Sequence, residues 1–157
     1  MVVWVGGLVF FAFVEAPTAF HVMGTTGPFA ELIGESIRSL NRIGHLCGFI
    51  FLIATAVVAT KAAPRARKLL ISQIILAVLM IAATMVVQTH IVPAMERDRA
   101  AAGGDINAVS PDNPTRVDFD RLHELSEKVE GSALFMGLAA VILMAAERET
   151  EPSPQAA

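Results

Sequence analysis

Cysteine is nearly absent from this sequence: a single residue, Cys47, lies in an apolar run of the 157-residue chain. One cysteine excludes a disulfide framework and a CxxC metal or redox motif, so we expect Cys47 to act as a small buried hydrophobic residue. The chain also lacks HExxH, GxSxG and phosphate-loop motifs and any Ser/His/Asp grouping. These absences exclude the hydrolases and nucleotide-dependent enzymes that carry them, and we predict that the protein is not an enzyme.

Charge is also sparse. Charged residues make up 17% of the chain, and a formal net charge of -3 supplies no basic field for nucleic acid, which excludes that partner. Hydrophobic residues make up 54% of the chain, and its mean hydropathy is +0.59. This composition is typical of a membrane protein of one domain, whose first partner is the lipid bilayer.

Four apolar stretches are long enough to cross a ~30 Å hydrocarbon core at ~1.5 Å per residue. They predict an all-α fold, an integral membrane four-helix bundle in one domain, 1–147, with spans at about 2–23, 43–60, 69–93 and 116–146. The first run starts at Val2 with no basic segment before it and is interrupted by Glu15, so we expect it to be retained. The acidic segment 148–157 is predicted to be a disordered cytoplasmic tail.

The connections differ in character. After a predicted break at 25–28, one helical face is apolar, which predicts a short amphipathic helix on the membrane surface between spans one and two. That face consists of Phe29, Leu32, Ile33, Ile37 and Leu40. The segment 94–115 is polar and contains glycine and proline, which predicts a loosely ordered loop. The loop 61–68 holds four basic residues and no acid, so it is expected in the cytoplasm together with both termini.

Small residues and one proline predict how the helices pack. A GxxxG pattern in the second span and a Gly-Gly pair in the first favour close helix approach, at Gly6, Gly7, Gly44 and Gly48. Pro17 has no N–H for the carbonyl of Phe13, so a kink is expected just after Glu15. A polar stripe on the third span, expected to face other helices, consists of Gln73, Met80, Thr84 and Gln88.

Ionisable side chains occur within or beside the spans. Counting ~1.5 Å per residue from the cytoplasmic end of each span places Glu15, Arg42, His45 and Glu130 between ~20 and ~27 Å, so we expect one polar intramembrane cluster. A carboxylate in a span costs ~2.5–3.5 kcal/mol on insertion scales and must be neutralised, paired or hydrated. Two interpretations of Glu15 stay open: pairing with Arg42 or His45, and a functional ion or proton site. Glu130, nearer the boundary, has the alternative of reaching outward to water.

Three further histidines, His21, His90 and His123, are predicted at the outer rim. Imidazole suits copper or zinc, and two imidazoles on facing helices can hold haem iron, so these are candidate metal or haem ligands. The alternative is an interfacial histidine bonded to water or backbone. An offset of ~9 Å in depth between His45 and His90 makes a symmetric bis-histidine haem less attractive.

Two stretches carry a resemblance that covers nearly the whole chain. The run WVGGLVFFAFVEAPTAF and the block FDRLHELS before the last span resemble the family named after transmembrane protein 205, small four-helix membrane proteins widespread in bacteria. The resemblance implies an integral four-span bundle in a bacterial inner membrane. The eukaryotic namesake is associated with metal-drug resistance and trafficking. A weaker similarity is to copper-resistance membrane proteins.

Function hypotheses of different classes follow. The first is a small membrane protein that binds or transports a transition-metal ion or protons at a polar site in the outer half of the bundle. The second is a structural or accessory subunit that docks on other membrane-protein subunits and whose polar residues satisfy one another. A b-type haem protein is a third. We expect no cofactor, with a transition metal or haem as the alternatives.

Overall fold

The protein is an all-α four-helix membrane bundle, as predicted. A computed structural model describes residues 1–24 and 27–148. Four helices in this part of the chain are long and apolar enough to cross a membrane: α1 (Val2–Met23), α2 (Gly27–Lys61), α3 (Pro64–Ala101) and α4 (Pro114–Arg148). A short 3-10 turn, Ile106–Ala108, lies between α3 and α4. Thr25 and Thr26 of the predicted break, and the predicted tail after Arg148, lie outside the described residues.

Both interior prolines follow a π-helical turn. The turn Phe11–Glu15 precedes Pro17, and the turn Val87–Ile91 precedes Pro93. Because proline lacks an N–H, a regular helix would leave a carbonyl without its donor; the wider turn shifts the pattern by one residue. Ala16 N–H accordingly bonds to the carbonyl of Phe11. A π turn thus lies where the kink near Pro17 was expected, and α1 and α3 each continue beyond their proline.

Two predicted connections are helical instead. The predicted surface helix is not a separate element, because α2 runs without interruption for 35 residues and contains it. Nothing after Pro28 breaks this helix, since no further proline occurs before its end. Similarly, α3 continues past Pro93 to Ala101, so the loop predicted over 94–115 begins only after that residue. Its Gly103 and Gly104 have positive φ (78° and 96°), which glycine adopts without strain.

Three helices project beyond the bilayer at the same end. At 1.5 Å per residue, α2, α3 and α4 are each ~50–57 Å long, against a hydrocarbon core of ~30 Å. Because successive helices are antiparallel, their charged ends come together. We call this part the polar extension; it comprises residues 27–42, 87–101 and 114–130. Arg38 of α2 pairs there with Glu35 and with Glu96 of α3. Arg99 of α3 lies 5.5 Å from the ring centroid of Phe119 on α4.

Packing of α1 against α2 sets its register. The indole of Trp4 lies against Gly44 and Gly48, and Gly7 lies against the side chain of Leu40. Farther along, the rings of Phe20 and Phe29 are 5.9 Å apart. Thus α1 starts beside the outer end of the apolar stretch of α2 and runs along the polar extension. The buried core between α1 and the other helices consists of Trp4, Val5, Leu8, Met80, Ile81 and Ala133.

The glycines predicted to mediate packing behave differently from one another. A Cβ at Gly44 would overlap the Trp4 indole, and one at Gly48 would lie 3.0 Å from Ile81 and 3.1 Å from Trp4. A Cβ at Gly7 would overlap Leu40, whereas one at Gly6 would meet no atom within 4 Å. The GxxxG pair thus receives a tryptophan from α1, and Gly6 faces away from the bundle.

We predict that Gly44→Ala destabilises the protein while Gly6→Ala does not. The added methyl group would overlap a fully buried indole, and overpacking of this kind costs ~1–3 kcal/mol. At Gly6 the same change meets open space and gains up to ~1 kcal/mol of helix propensity. Thermal unfolding in mild detergent, followed by the fluorescence of Trp4, measures both. Equal unfolding midpoints for the two variants would contradict the proposed packing.

Candidate functional site

Polar side chains form a layer where the apolar bundle meets the polar extension. Every helix contributes to it: Trp4 from α1, Asn41 and His45 from α2, Thr84 from α3 and Glu130 from α4. We call these five residues the polar layer. Trp4, Asn41 and Thr84 are 0% exposed. Because buried polar groups are costly unless bonded, the hydrogen bonds within the layer decide what it can do.

Asn41 and Glu130 form the outer contact of the polar layer. Asn41 Nδ2 donates to Glu130 Oε1 at 2.7 Å, joining α2 to α4. Asn41 lies one turn before Gly44 and His45, so all three share the buried face of α2. Asn41 is not among the residues predicted from the sequence, although its spacing relative to the GxxxG pattern is a usable signal.

His45 and Thr84 form the inner contact. His45 Nε2 and Thr84 Oγ1 are 2.9 Å apart. Thr84 Oγ1 is also 2.9 Å from the carbonyl oxygen of Met80 on its own helix, so the tautomer of His45 sets which atom donates in the contact with Nε2. The ring of Trp4 meets His45 edge-on, with centroids 5.7 Å apart. The imidazole is thereby held by α1 and α3 together.

Several buried polar atoms of the layer have no hydrogen-bond partner. Among the described residues these include the donor Trp4 Nε1 and the acceptors Asn41 Oδ1 and Glu130 Oε2. The two unpartnered acceptors belong to side chains that already bond to each other. This incomplete pairing is the most unusual chemical feature of the site.

The structure brings together only part of the predicted intramembrane cluster. His45 and Glu130 lie in the polar layer, but they bond to Thr84 and Asn41. Arg42 is exposed on the other face of α2. In residues 1–24 and 27–148, no hydrogen bond or ion pair joins Glu15 to Arg42 or His45.

The register of α1 explains the position of Glu15. The depth count assumed that α1 and α2 end at the same membrane surface, whereas Trp4, near the start of α1, is level with Gly44. Glu15 is therefore carried ~16 Å beyond Trp4, along the polar extension. Glu15 is the last residue of the π turn; its side chain is half-buried and lies away from the polar layer.

The other three histidines lie apart. His90 is exposed, with Nδ1 2.7 Å from Thr89 Oγ1 on its own helix. His123 is exposed, with Nε2 3.3 Å from Glu127 Oε1, and His21 is exposed near the end of α1. Within the described ranges no group of three or more His, Cys, Asp or Glu side chains is arranged to hold a metal ion. The metal and haem hypotheses therefore gain no support from the arrangement of these ligands.

The polar stripe of α3 faces other helices, as its spacing predicts. Gln73, Met80 and Thr84 are buried, with exposures of 1%, 0% and 0%. Gln73 Nε2 donates to Glu147 Oε2 at 3.1 Å, which links α3 to the end of α4 opposite the polar extension. Gln88 is half-buried, and its Nε2 is without a partner.

Comparison with known families decides the classification. A profile described as "Domain of unknown function (DUF4149)" matches residues 1–102. The chain belongs to the DUF4149 family. The match spans α1, α2 and α3, and so includes Trp4, Asn41, His45 and Thr84 but not Glu130. No curated protein and no solved structure matches this DUF4149 chain. The resemblance to the transmembrane protein 205 family stays a prediction.

We predict that Thr84→Val destabilises this DUF4149 protein by ~1–3 kcal/mol, because the change keeps the shape of the side chain but leaves His45 Nε2 without its hydrogen-bond partner. Thr89→Val is the matched control, since exposed Thr89 on the same helix donates to its own helix at Met85, and we expect a change within ~0.5 kcal/mol. Unfolding in detergent by increasing denaturant measures both. Similar losses in the two variants would show that the His45–Thr84 bond adds no stability.

Proposed function

We propose that this DUF4149 protein is an accessory subunit that docks on another membrane protein through the outer half of α1. The observation that carries the proposal is an apolar face on α1 that lies beside the charged halves of the other helices. This face, the α1 face, consists of Phe10, Phe13, Val14 and Pro17, which share one side of the helix. Phe13 is 72% exposed and Phe10 56%.

Position along the bundle separates this face from ordinary lipid contact. The apolar stretch 43–60 of α2 is bounded by Arg42 and Lys61 and is ~27 Å long, which matches the hydrocarbon core. Gly7 is level with Leu40, just outside that stretch. Phe13, six residues farther along α1, is then ~13 Å beyond the hydrocarbon edge, outside an interfacial zone of ~5–7 Å.

Charges of the neighbouring helices support the same placement. Arg38, Glu35 and Glu96 form ion pairs in the polar extension. Moving the bilayer outward to cover Phe13 would bury these groups in hydrocarbon, at a cost of several kcal/mol. If Phe13 and Val14 were in water instead, they would expose a continuous apolar patch, and on soluble proteins such a patch marks a protein interaction site. A partner subunit with an uncharged apolar helix surface would cover this patch and leave the ion pairs outside the hydrocarbon.

Localisation and activity follow from the same proposal. We place the protein in a bacterial inner membrane with the basic loop 61–68 in the cytoplasm. The cytoplasmic N-terminus expected from the sequence does not fit this placement, because Trp4 is level with Gly44, near the outer end of the apolar stretch 43–60. The polar extension and the α1 face then lie on the outer side. In this role the polar layer holds the four helices together, and the protein carries out no reaction of its own.

A photoreactive phenylalanine analogue at Phe13 or at Phe135 tests the proposal in native membranes. Phe135, on the lipid-facing side of α4 within the apolar bundle, is 73% exposed against 72% for Phe13, so it is a matched control. We expect the analogue at Phe13 to give one discrete protein adduct and the analogue at Phe135 to label lipid. The same partner should co-purify in fixed stoichiometry in mild detergent, and Phe13→Ser with Val14→Ser should release it.

Two results would contradict the accessory-subunit proposal. Lipid labelling from both positions would mean that α1 faces the bilayer along its whole length. An adduct between two copies of this chain, with no other protein in the purified particle, would make the α1 face a homo-oligomer contact.

A further inference from the structure

The contact between Asn41 and Glu130 lacks one hydrogen-bond donor. Asn41 offers one amide donor to Glu130 Oε1 at 2.7 Å. The two remaining oxygens, Asn41 Oδ1 and Glu130 Oε2, are both acceptors, and both are buried without a partner. An ionised carboxylate has no hydrogen to give, so a charged Glu130 cannot satisfy either atom.

No nearby cation compensates a charge on Glu130. In the described part of the chain no ion pair reaches this carboxyl group. On α2, Arg42 is exposed and Nε2 of His45 is hydrogen-bonded to Thr84 Oγ1. On α4 itself, Lys128 pairs with Glu124 at 2.7 Å.

The remaining helices offer no cation at this level either. On α3, His90 is exposed and bonded to Thr89. On α1, Trp4 belongs to the polar layer but carries no charge, and the neighbouring Val5 and Leu8 are apolar. An unpaired charge buried in such surroundings is far more costly than a neutral hydrogen-bonded group.

We propose that Glu130 is a proton-binding site: it carries a proton at neutral pH, and its Oε2–H donates to Asn41 Oδ1. A carboxylic acid and a primary amide each present one donor beside one acceptor, so together they form a closed ring with two hydrogen bonds. One proton thus removes the charge and satisfies both unpartnered acceptors. The site uses only Glu130 of the predicted polar cluster, together with Asn41, and it is independent of the docking role of α1.

Infrared spectroscopy of the purified protein in lipid detects the proton directly. We expect a carbonyl band of a protonated carboxylic acid at neutral pH, shifted to lower frequency by 13C labelling of glutamate. The band should disappear in Glu130→Gln and persist in Glu15→Gln, since Glu15 is the other acid in an apolar helix and lies outside the polar layer. Absence of the band in the wild-type protein, or its persistence in Glu130→Gln, would overturn the proposal.

Stability against pH gives a second measurement that needs no spectral assignment. A native state that holds a proton which the unfolded chain has released loses stability as pH rises. We expect the unfolding midpoint of the wild type to fall between about pH 6 and about pH 9 relative to that of Glu130→Gln. Glutamine mimics the protonated acid, because its amide can form the same ring with Asn41. A constant difference between the two proteins across this range would contradict proton binding at Glu130.

Discussion

The fit of the Trp4 indole against Gly44 and Gly48 is the constraint on which the rest of the structure depends. Glycine at these positions lets α1 approach α2 closely enough to bury the whole indole, and a methyl group at Gly44 would already prevent it. Since a rigid helix continues from that contact, the register fixed at Trp4 also decides where Glu15 and Phe13 lie. The exposed α1 face is therefore a consequence of packing at the other end of the helix.

The polar layer reflects the free-energy cost of burying polar groups. Where the four helices meet, Asn41 bonds to Glu130 and His45 bonds to Thr84, so each ionisable group has a neutral partner on another helix. Such contacts tie α2 to α3 and α4 at the edge of the apolar zone. They also explain why the predicted pairing of Glu15 is unnecessary for the other members of the cluster. The proton that we propose on Glu130 would complete the hydrogen bonding between Asn41 and Glu130.

Sequence reasoning succeeded for properties that depend on local pattern. Length and hydropathy identified four helices, and helical spacing placed Gln73, Met80 and Thr84 on a buried face. It was less successful for the connections, because a polar amphipathic segment is compatible with both a surface helix and the continuation of a span. Because nothing breaks the helix after Pro28, that segment is part of α2, and the π turn before Pro93 lets α3 continue past a proline. The π turn is a property of the backbone that the sequence pattern does not show.

By itself, the sequence determined the membrane class, the number of helices, the candidate ionisable residues and the basic loop that indicates orientation, because composition and periodicity are local quantities. Only the tertiary structure decided which of those residues meet. Depth counts assume that the helices are aligned at one membrane surface, but interlocking side chains set the stagger between helices, and a shift of a few residues moves a side chain by ~5–15 Å. That stagger brings Asn41 to Glu130 and His45 to Thr84, and it carries Glu15 away from both.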